Sequence, residues 1–368
     1  MKAVFINSLT FGGAEGVLSN LISNGYDVNV LITIWPEKFF KTPGIEHISL
    51  LNKKGFIIFD LFIALFLFCR LISRLRITSV NSHLFWANYI NGFASFFYKQ
   101  KVICTHCVSI NAKYSGYVSY LHKLLFFLLL RGKKIKHIYK SKMMKFEYEK
   151  MFNINNGIVI FNPLDTKKMD LLAQSQPEVE VDFNNDAIKF LCVGRFHETK
   201  NQLALIKVFY NLDLNVKLYF LGDGPCLLAC KEWVKEHSLI DKVFFLGKVA
   251  NPYPYYKCFD YYVSASGAEG FPNALVEAVY FDCFALHSDC LTGPREILSG
   301  FKKFEPISGS VFERSIFDCG LLFKVLDDVE IRKALEFVVE TKPKVKNKKV
   351  IIDKVEISYI VNQYNSVA

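Results

Sequence analysis

Negative charge is scarce through much of the first half of this chain: residues 51–150 hold 3 acidic side chains against 17 basic ones. A stretch so depleted in carboxylates points to an anionic partner, either a lipid leaflet or nucleic acid. No helix-turn-helix, zinc-finger or RNP-like motif accompanies the charge, which sets nucleic acid aside. Long apolar runs are also missing. Phe56–Ile72 is broken by Asp60 and Arg70, and Tyr117–Leu130 by His122 and Lys123, so neither reaches the roughly 18 to 20 residues that a spanning helix needs. The chain has no Gly-x-Gly-x-x-Gly, which excludes a dehydrogenase fingerprint. It has no Asp-x-Asp, and its histidines lack metal-ligand spacing. The expectation is therefore chemistry with no metal and no cofactor. The Cys104-x-x-Cys107 pair has no second pair at zinc spacing. The ten cysteines, mostly in apolar surroundings, read as reduced thiols and favour the cytosol. Met1–Asn7 reads as a first strand rather than as a signal peptide.

At 368 residues the chain is long for one domain, and two domains of about 170 residues each are expected. Residues 1–170 carry 22 Lys plus Arg against 9 Asp plus Glu, a balance of +13; the remaining 23 and 26 give −3. The basic surplus thus belongs to the first half. There, Phe56–Ile72 reads as a helix buried against a sheet. Tyr117–Lys136, with Arg131, Lys133, Lys134 and Lys136, reads as an interfacial helix with a basic flank facing an anionic membrane surface.

Short apolar runs alternate with helical-period segments, as expected of βα units in doubly wound parallel sheets. Strands are predicted at Ala3–Asn7, Asp27–Ile34, Thr78–Ser82, Val102–Thr105 and Gly157–Phe161. A second series is predicted at Ile188–Val193, Lys217–Leu221, Lys242–Leu246, Tyr261–Ser264 and Phe284–Leu286. The predicted domains are residues 1–170 and 187–345, joined by a polar linker at 171–186. Residues 346–368 form a tail with an amphipathic helix. Two predicted strands end in His83 and His106, where ligand residues of such sheets cluster.

The densest chemical signal is Ser264–Leu298. It places Glu269 and Glu277 on either side of a helix start, with Gly270 permitting a sharp turn and Pro272 suited to the first helical position. The orphan amides of that first turn form a ready anion site, and Glu277 shares a face with Asn273. A phosphate beside a diol describes a nucleotide sugar. An isolated pair of this kind reads more readily as a solvated turn acid and an exposed helical acid. Here it stands in Glu-Gly-Phe-Pro-Asn-x-Leu-x-Glu-Ala, followed by Asp-Cys-x-Thr-Gly-Pro-x-Glu-Ile-Leu. This stretch resembles the donor-site signature of glycosyltransferase family 4, whose Glu-x7-Glu spacing it keeps. Gly194-Arg195 with Lys200, following a predicted strand, resembles the family's Gly-Arg and Lys element, a planar fork and a point charge suited to a diphosphate. Leu221–Pro225 is similar to its Gly-x-Gly-Pro turn.

The resemblance implies the GT-B fold: two Rossmann-like doubly wound domains facing a cleft, with the last helix crossing back to the first domain. It implies a retaining transfer from a nucleotide-diphosphate sugar, expected to be UDP-linked, with no established enzyme nucleophile. In that frame Glu269 orients sugar hydroxyls, Glu277 binds the ribose, and Arg195 and Lys200 stabilise the leaving diphosphate. Gly194, Gly247, Val249, Gly270, Phe271, Pro272, Asn273, Ala274 and Leu275 complete the donor site. Gly12 and Gly13 resemble a loop that covers donor phosphates, although an ordinary strand-to-helix turn has the same pattern. His106 stands where the family keeps a histidine against the transferred sugar; a histidine after a strand also serves as a structural hydrogen bonder. The expected acceptor is a polyprenyl-diphosphate-linked saccharide of surface-polysaccharide assembly, at the inner face of the cytoplasmic membrane. A nucleotide-sugar epimerase or phosphorylase of the same fold, and a non-catalytic binder of anionic lipid or glycan, are the alternatives.

Overall fold

Alternate residues of the first strands face opposite ways, and both sides are apolar, so the sheet they form must be covered on both faces. A computed structural model, describing residues 1–10, 12–179, 181, 186–305, 310–312 and 315–368, shows how. The chain divides into two units, Met1–Pro163 with Lys354–Ala368, and Leu164–Asp353.

The first unit is a seven-stranded parallel sheet of order β3-β2-β1-β4-β5-β6-β7. Its strands are β1 (Lys2–Ile6), β2 (Val30–Thr33), β3 (Glu46–Ser49), β4 (Ser79–His83), β5 (Lys101–His106), β6 (Lys136–Tyr139) and β7 (Gly157–Val159). Its connecting helices are α1 (Gly13–Ser23), α2 (Ile57–Leu75), α3 (Phe85–Ala94), α4 (Ile110–Lys113), α5 (Gly116–Leu129) and α6 (Lys142–Phe152). Ala3 and Phe5 point into a core with α2 and α3, whereas Val4 and Ile6 point into one with α1. The last helix, Ile357–Val367, adds Ile357, Ile360, Val361 and Tyr364 to that second core. Lys140, buried after β6, donates to the Tyr364 hydroxyl at 2.5 Å. The expected return of the C-terminal helix to the first unit is thus observed.

The second unit has the order β10-β9-β8-β11-β12-β14-β13, parallel except for the antiparallel β13–β14 pair. These strands are β8 (Ile188–Val193), β9 (Val216–Leu221), β10 (Val243–Gly247), β11 (Tyr261–Ser264), β12 (Phe284–Ser288), β13 (Ile316–Phe317) and β14 (Gly320–Phe323). The helices that matter below are α7 (Thr166–Leu172), α8 (Gln202–Tyr210), α9 (Leu227–Glu236), α10 (Tyr253–Tyr256) and α11 (Asn273–Tyr280).

The observed structure departs from expectation at several points, three of which bear on the organisation of the chain. The division falls at Pro163–Leu164, ahead of residue 170. The segment expected as a linker is in part tied into the second unit: Glu178 accepts from the Ala250 and Asn251 amides, and Leu172 accepts from the Asn251 side chain. Residues 180 and 182–185 of it lie outside the described residues. Second, the predicted helix through Lys136 stops at Leu129, and Lys136 opens β6, a central strand paired with β5 and β7. Third, α2 is buried on one side only. Asp60, Ala64, Phe68 and Ile72, four residues apart, face the core, where Phe68 stacks on Phe5 at 4.5 Å. Phe59, Phe62, Ile63 and Phe66 face solvent.

Candidate functional site

The second sheet reverses its winding at β8, which lies between β9 and β11. Ligands of open α/β sheets sit at such a switch point, beyond the carboxyl ends of the strands. Gly194, Gly222 and Gly247 follow or close β8, β9 and β10 there. The Gly194 amide donates to Leu221 O at 3.0 Å, and the Gly222 amide to Gly247 O at 2.7 Å. A Cβ on Gly222, at φ 148°, would run into the Gly194 carbonyl, and one on Gly224 into that of Phe196, so only glycine lets these loops nest. Arg195 rides on this base. Its carbonyl accepts from the Gln202 amide side chain at 2.9 Å, while its own side chain is exposed and makes no ion pair among the described residues.

Lys200 ends a short turn after β8, and Glu269 lies in the loop after β11. Their side chains meet, Lys200 Nζ to Glu269 Oε1 at 2.5 Å. Two contacts stitch the loops together: Asn201 Nδ2 donates to Ala265 O at 3.0 Å, and the Gly267 amide to Thr199 O at 2.7 Å. Thr292 donates its hydroxyl to the Glu269 carbonyl. Burial pushes the Glu269 carboxyl up, but the Lys200 ammonium and the Ser266 hydroxyl more than reverse this and hold it below the usual carboxylate range. Burial likewise opposes the charge on Lys200, and Glu269 overcomes it, leaving the ammonium above its ordinary value. The pair is therefore charged at neutral pH, and the two remaining N–H donors of Lys200 can serve an anion.

Beyond Gly270 the chain enters α11. Pro272 is the residue before the first helical one, not the first as expected, with φ −75° and ψ 95°. Gly293, at φ 101°, packs so closely on Pro272 that a Cβ would meet its ring at 2.5 Å. Asn273 and Ala274 are half-buried. Phe271 and Leu275 turn inward, and the Leu275 amide is bonded to Pro272 O at 3.2 Å. Glu277 accepts from the Tyr256 hydroxyl at 3.0 Å, and burial pushes its carboxyl up to about 7. The buried Tyr262 lies within electrostatic reach of both Glu269 and Glu277. The strand end at Gly247 has φ 75°, and Val249 beside it is buried.

Sequence reasoning missed three contributors. Tyr256 on α10 sets the environment of Glu277. Ser266 and His287 line the buried side of Glu269; the His287 Nδ1 bonds Ser288 O at 2.7 Å, and its Nε2 has no partner among the described residues. Only the place of His287 near the carboxyl end of β12 could have marked it.

In the first unit, Gly12 is the extended residue before α1 and Gly13 its first residue; the Glu15 carboxylate folds back over Gly12. Phe11, within that motif, lies outside the described residues. His106 is only 2% exposed. Its Nε2 bonds His137 Nδ1 at 3.0 Å, and Tyr139 stacks on its ring at 5.1 Å. Burial drives its basicity well below the ordinary value. The structure thus packs His106 as a neutral ring held at Nε2 and leaves only Nδ1 without a partner among the described residues. His83, also buried, stacks on Tyr364 of the last helix.

Comparison with known proteins adds to this geometry. Residues 176–349, within the second unit, match the family model of glycosyl transferases group 1. The N-acetylgalactosamine-N,N'-diacetylbacillosaminyl-diphospho-undecaprenol 4-alpha-N-acetylgalactosaminyltransferase of Campylobacter jejuni is 30% identical over 200 residues, 54% of this chain and 51% of that one. The chain spans about half the length of the curated relatives it matches. The lipopolysaccharide outer core galactosyltransferase WaaB superposes with a TM-score of 0.71 at 18% identity, covering 100% of this chain and 99% of that one. Anabaena HepE in complex with UDP superposes with a TM-score of 0.70 at 15% identity, covering 100% and 99%. The fold is that of the GT-B glycosyltransferases.

Proposed function

We propose that the chain is a retaining glycosyltransferase that moves a hexose or N-acetylhexosamine from a UDP-sugar to a lipid-linked saccharide in surface-polysaccharide assembly. The observation that carries this reading is the Lys200–Glu269 pair at the switch point, with Arg195 on the loop after β8 and Glu277 on α11. Lys200 and Arg195 bind the diphosphate, Glu269 holds sugar hydroxyls, and Glu277 accepts from the ribose diol. In the transfer, the bond from the anomeric carbon to the diphosphate oxygen breaks and the acceptor oxygen bonds that carbon. The acceptor proton leaves with the diphosphate, whose charge Lys200 and Arg195 neutralise. This electrostatic task falls to preorganised cations, so the reaction proceeds without a bound metal.

Support for the donor comes from the UDP named for HepE, and for the acceptor from the diphospho-undecaprenol named for the Campylobacter relative. A lipid-linked acceptor would hold the protein at the inner face of the cytoplasmic membrane. Among the described residues no helix is long and apolar enough to cross a membrane. The reading is tested by screening nucleotide sugars for thermal stabilisation, since a ligand of the native state alone raises its stability. The stabilising nucleotide sugar is then incubated with lipid extract in the presence of a chelator. Transfer of the sugar into the lipid fraction is expected. Stabilisation by no nucleotide sugar, or release of free sugar only, would overturn it.

A further inference from the structure

Three helices of the first unit expose more apolar surface than a sheet-covering layer requires. On α2, Phe59, Phe62, Ile63 and Phe66 fall at helical spacing on one face, and Phe59 and Phe62 are each 70% exposed. On α5, Tyr117, Tyr120, Leu124, Phe127 and Leu128 do the same, while Ser119, His122 and Phe126 face inward. Phe93, Phe96 and Phe97, at and just beyond the end of α3, are exposed as well. These are not scattered residues. Leu61 and Leu65 of α2, Trp86 and Phe93 of α3, and Leu121 and Leu125 of α5 line one shared groove of about 290 Å³. An apolar surface continuous over three helices marks an interaction site.

The charge around this face names the partner. No acid occurs in the sequence between Asp60 and Glu147. Asp60 is itself buried, accepting from Trp35 Nε1 at 2.7 Å and from the Gly55 amide at 2.9 Å. The three helices therefore present no exposed carboxylate. Lys53 and Lys54 precede α2, and Arg131, Lys133 and Lys134 follow α5, all exposed. Arg131 lies over the Phe127 ring at 4.8 Å, so cation and apolar face adjoin. A second copy of the chain docking here would bring like charges together. A protein partner would have to supply both an apolar surface and an acidic rim, which an anionic bilayer offers at any point of its surface. The inward stripe of α2 belongs to the core, so the helix lies along a surface rather than through it.

We propose that the α2–α3–α5 face seats the protein on an anionic lipid bilayer, with its exposed rings in the acyl layer and the flanking lysines and arginines among the headgroups. This deepens the reading of a lipid-linked acceptor by naming the surface that meets the membrane, and it includes α2, whose pattern had suggested full burial.

The test is cosedimentation of the full chain with vesicles of phosphatidylglycerol and phosphatidylcholine in equal parts, and with phosphatidylcholine alone. UDP binding and sedimentation velocity are measured on the same samples without lipid. Wild type should bind the anionic vesicles, and binding should fall by about tenfold in high salt or without phosphatidylglycerol. A Phe59→Ser, Phe62→Ser, Phe66→Ser variant should lose about tenfold or more on both vesicles, with an unchanged melting temperature. An Arg131→Glu, Lys133→Glu, Lys134→Glu variant should lose the preference for anionic lipid. Vesicle binding undiminished in both variants overturns the proposal. So does a wild type that ignores vesicles and self-associates through this face, which would make the occupant a second copy, or one that ignores vesicles as a monomer. In any of these cases intact UDP binding leaves the donor site standing.

Discussion

In the second unit, Lys200, Glu269 and Glu277, singled out by spacing, end up half-buried and paired, while Arg195 stays exposed; in the first, apolar side chains assigned to the core end up in solvent. Lys200 and Glu269 sit 69 residues apart and meet at 2.5 Å. Phe62 and Phe68 sit less than two turns apart on α2, one 70% exposed and the other fully buried. On the proposed reading, the difference lies in what each surface does. A site for a charged ligand needs its groups fixed before the ligand arrives, which requires partners such as Ser266, Thr292 and Asn201. A surface for a fluid partner needs area and charge of one sign, with no fixed geometry, so its side chains can remain unpartnered.

The largest effect that would sharpen this contrast lies within α2. Phe68→Ala removes a ring stacked on Phe5 and should cost about 3 to 5 kcal/mol of stability, whereas Phe62→Ala should change it by no more than about 0.5 kcal/mol. Denaturant melts of the two variants measure this. Equal losses would mean that the outer face is packed, and the distinction between the two sides of the helix would fail.

Next comes the pH dependence of the proposed donor site. The Glu277 carboxyl titrates at about 7 because burial disfavours its charge, and a ribose diol donating to it requires the ionised form. UDP binding should therefore strengthen by about tenfold between about pH 6 and pH 8 from this group. Glu277→Gln should remove that part of the slope, leaving only the titration of the ligand. Stability has the opposite sign. The folded carboxyl lies above its ordinary value, so the folded protein holds the extra proton, and its contribution is lost as pH rises from about 4.5 through about 7. Calorimetry across pH on both proteins checks both slopes. An identical binding slope in the variant would remove Glu277 from the donor site.

The smallest effect concerns Tyr256→Phe. The hydroxyl bonded to Glu277 at 3.0 Å helps hold the carboxyl charged, so its loss should push the Glu277 titration higher. The loss should cost about 1 kcal/mol of UDP affinity near neutral pH. Affinity measured well above the shifted titration should recover, because the carboxylate is then ionised again. A uniform loss at every pH would point to packing rather than to the hydrogen bond.

Much of this was legible in the residues. The strands Ile188–Val193 and Tyr261–Ser264 are observed with the bounds expected of them, because each is an apolar run closed by a turn. Glu46–Ser49 and Lys136–Tyr139 were not seen. Both are four-residue strands opening on a charge, and Lys136 also belongs to a basic run that reads as a helix flank. The Glu269 and Glu277 spacing is local and so survives in sequence, but the Lys200 partner of Glu269 and the Tyr256 partner of Glu277 come from other loops and carry no local mark. The solvent side of α2 was illegible for a different reason. A helix apolar on every face shows no periodic minimum, so only the sheet beneath it decides which rings are buried.

The central claim is that Lys200, poised by Glu269, stabilises a departing diphosphate. It is tested most directly by turnover of the stabilising nucleotide sugar with wild type and Lys200→Ala at saturating donor, with folding checked by circular dichroism. The account predicts a loss of about 2 to 4 kcal/mol of transition-state stabilisation, about 30- to 900-fold in rate. Turnover within about twofold of wild type in the folded variant would contradict it.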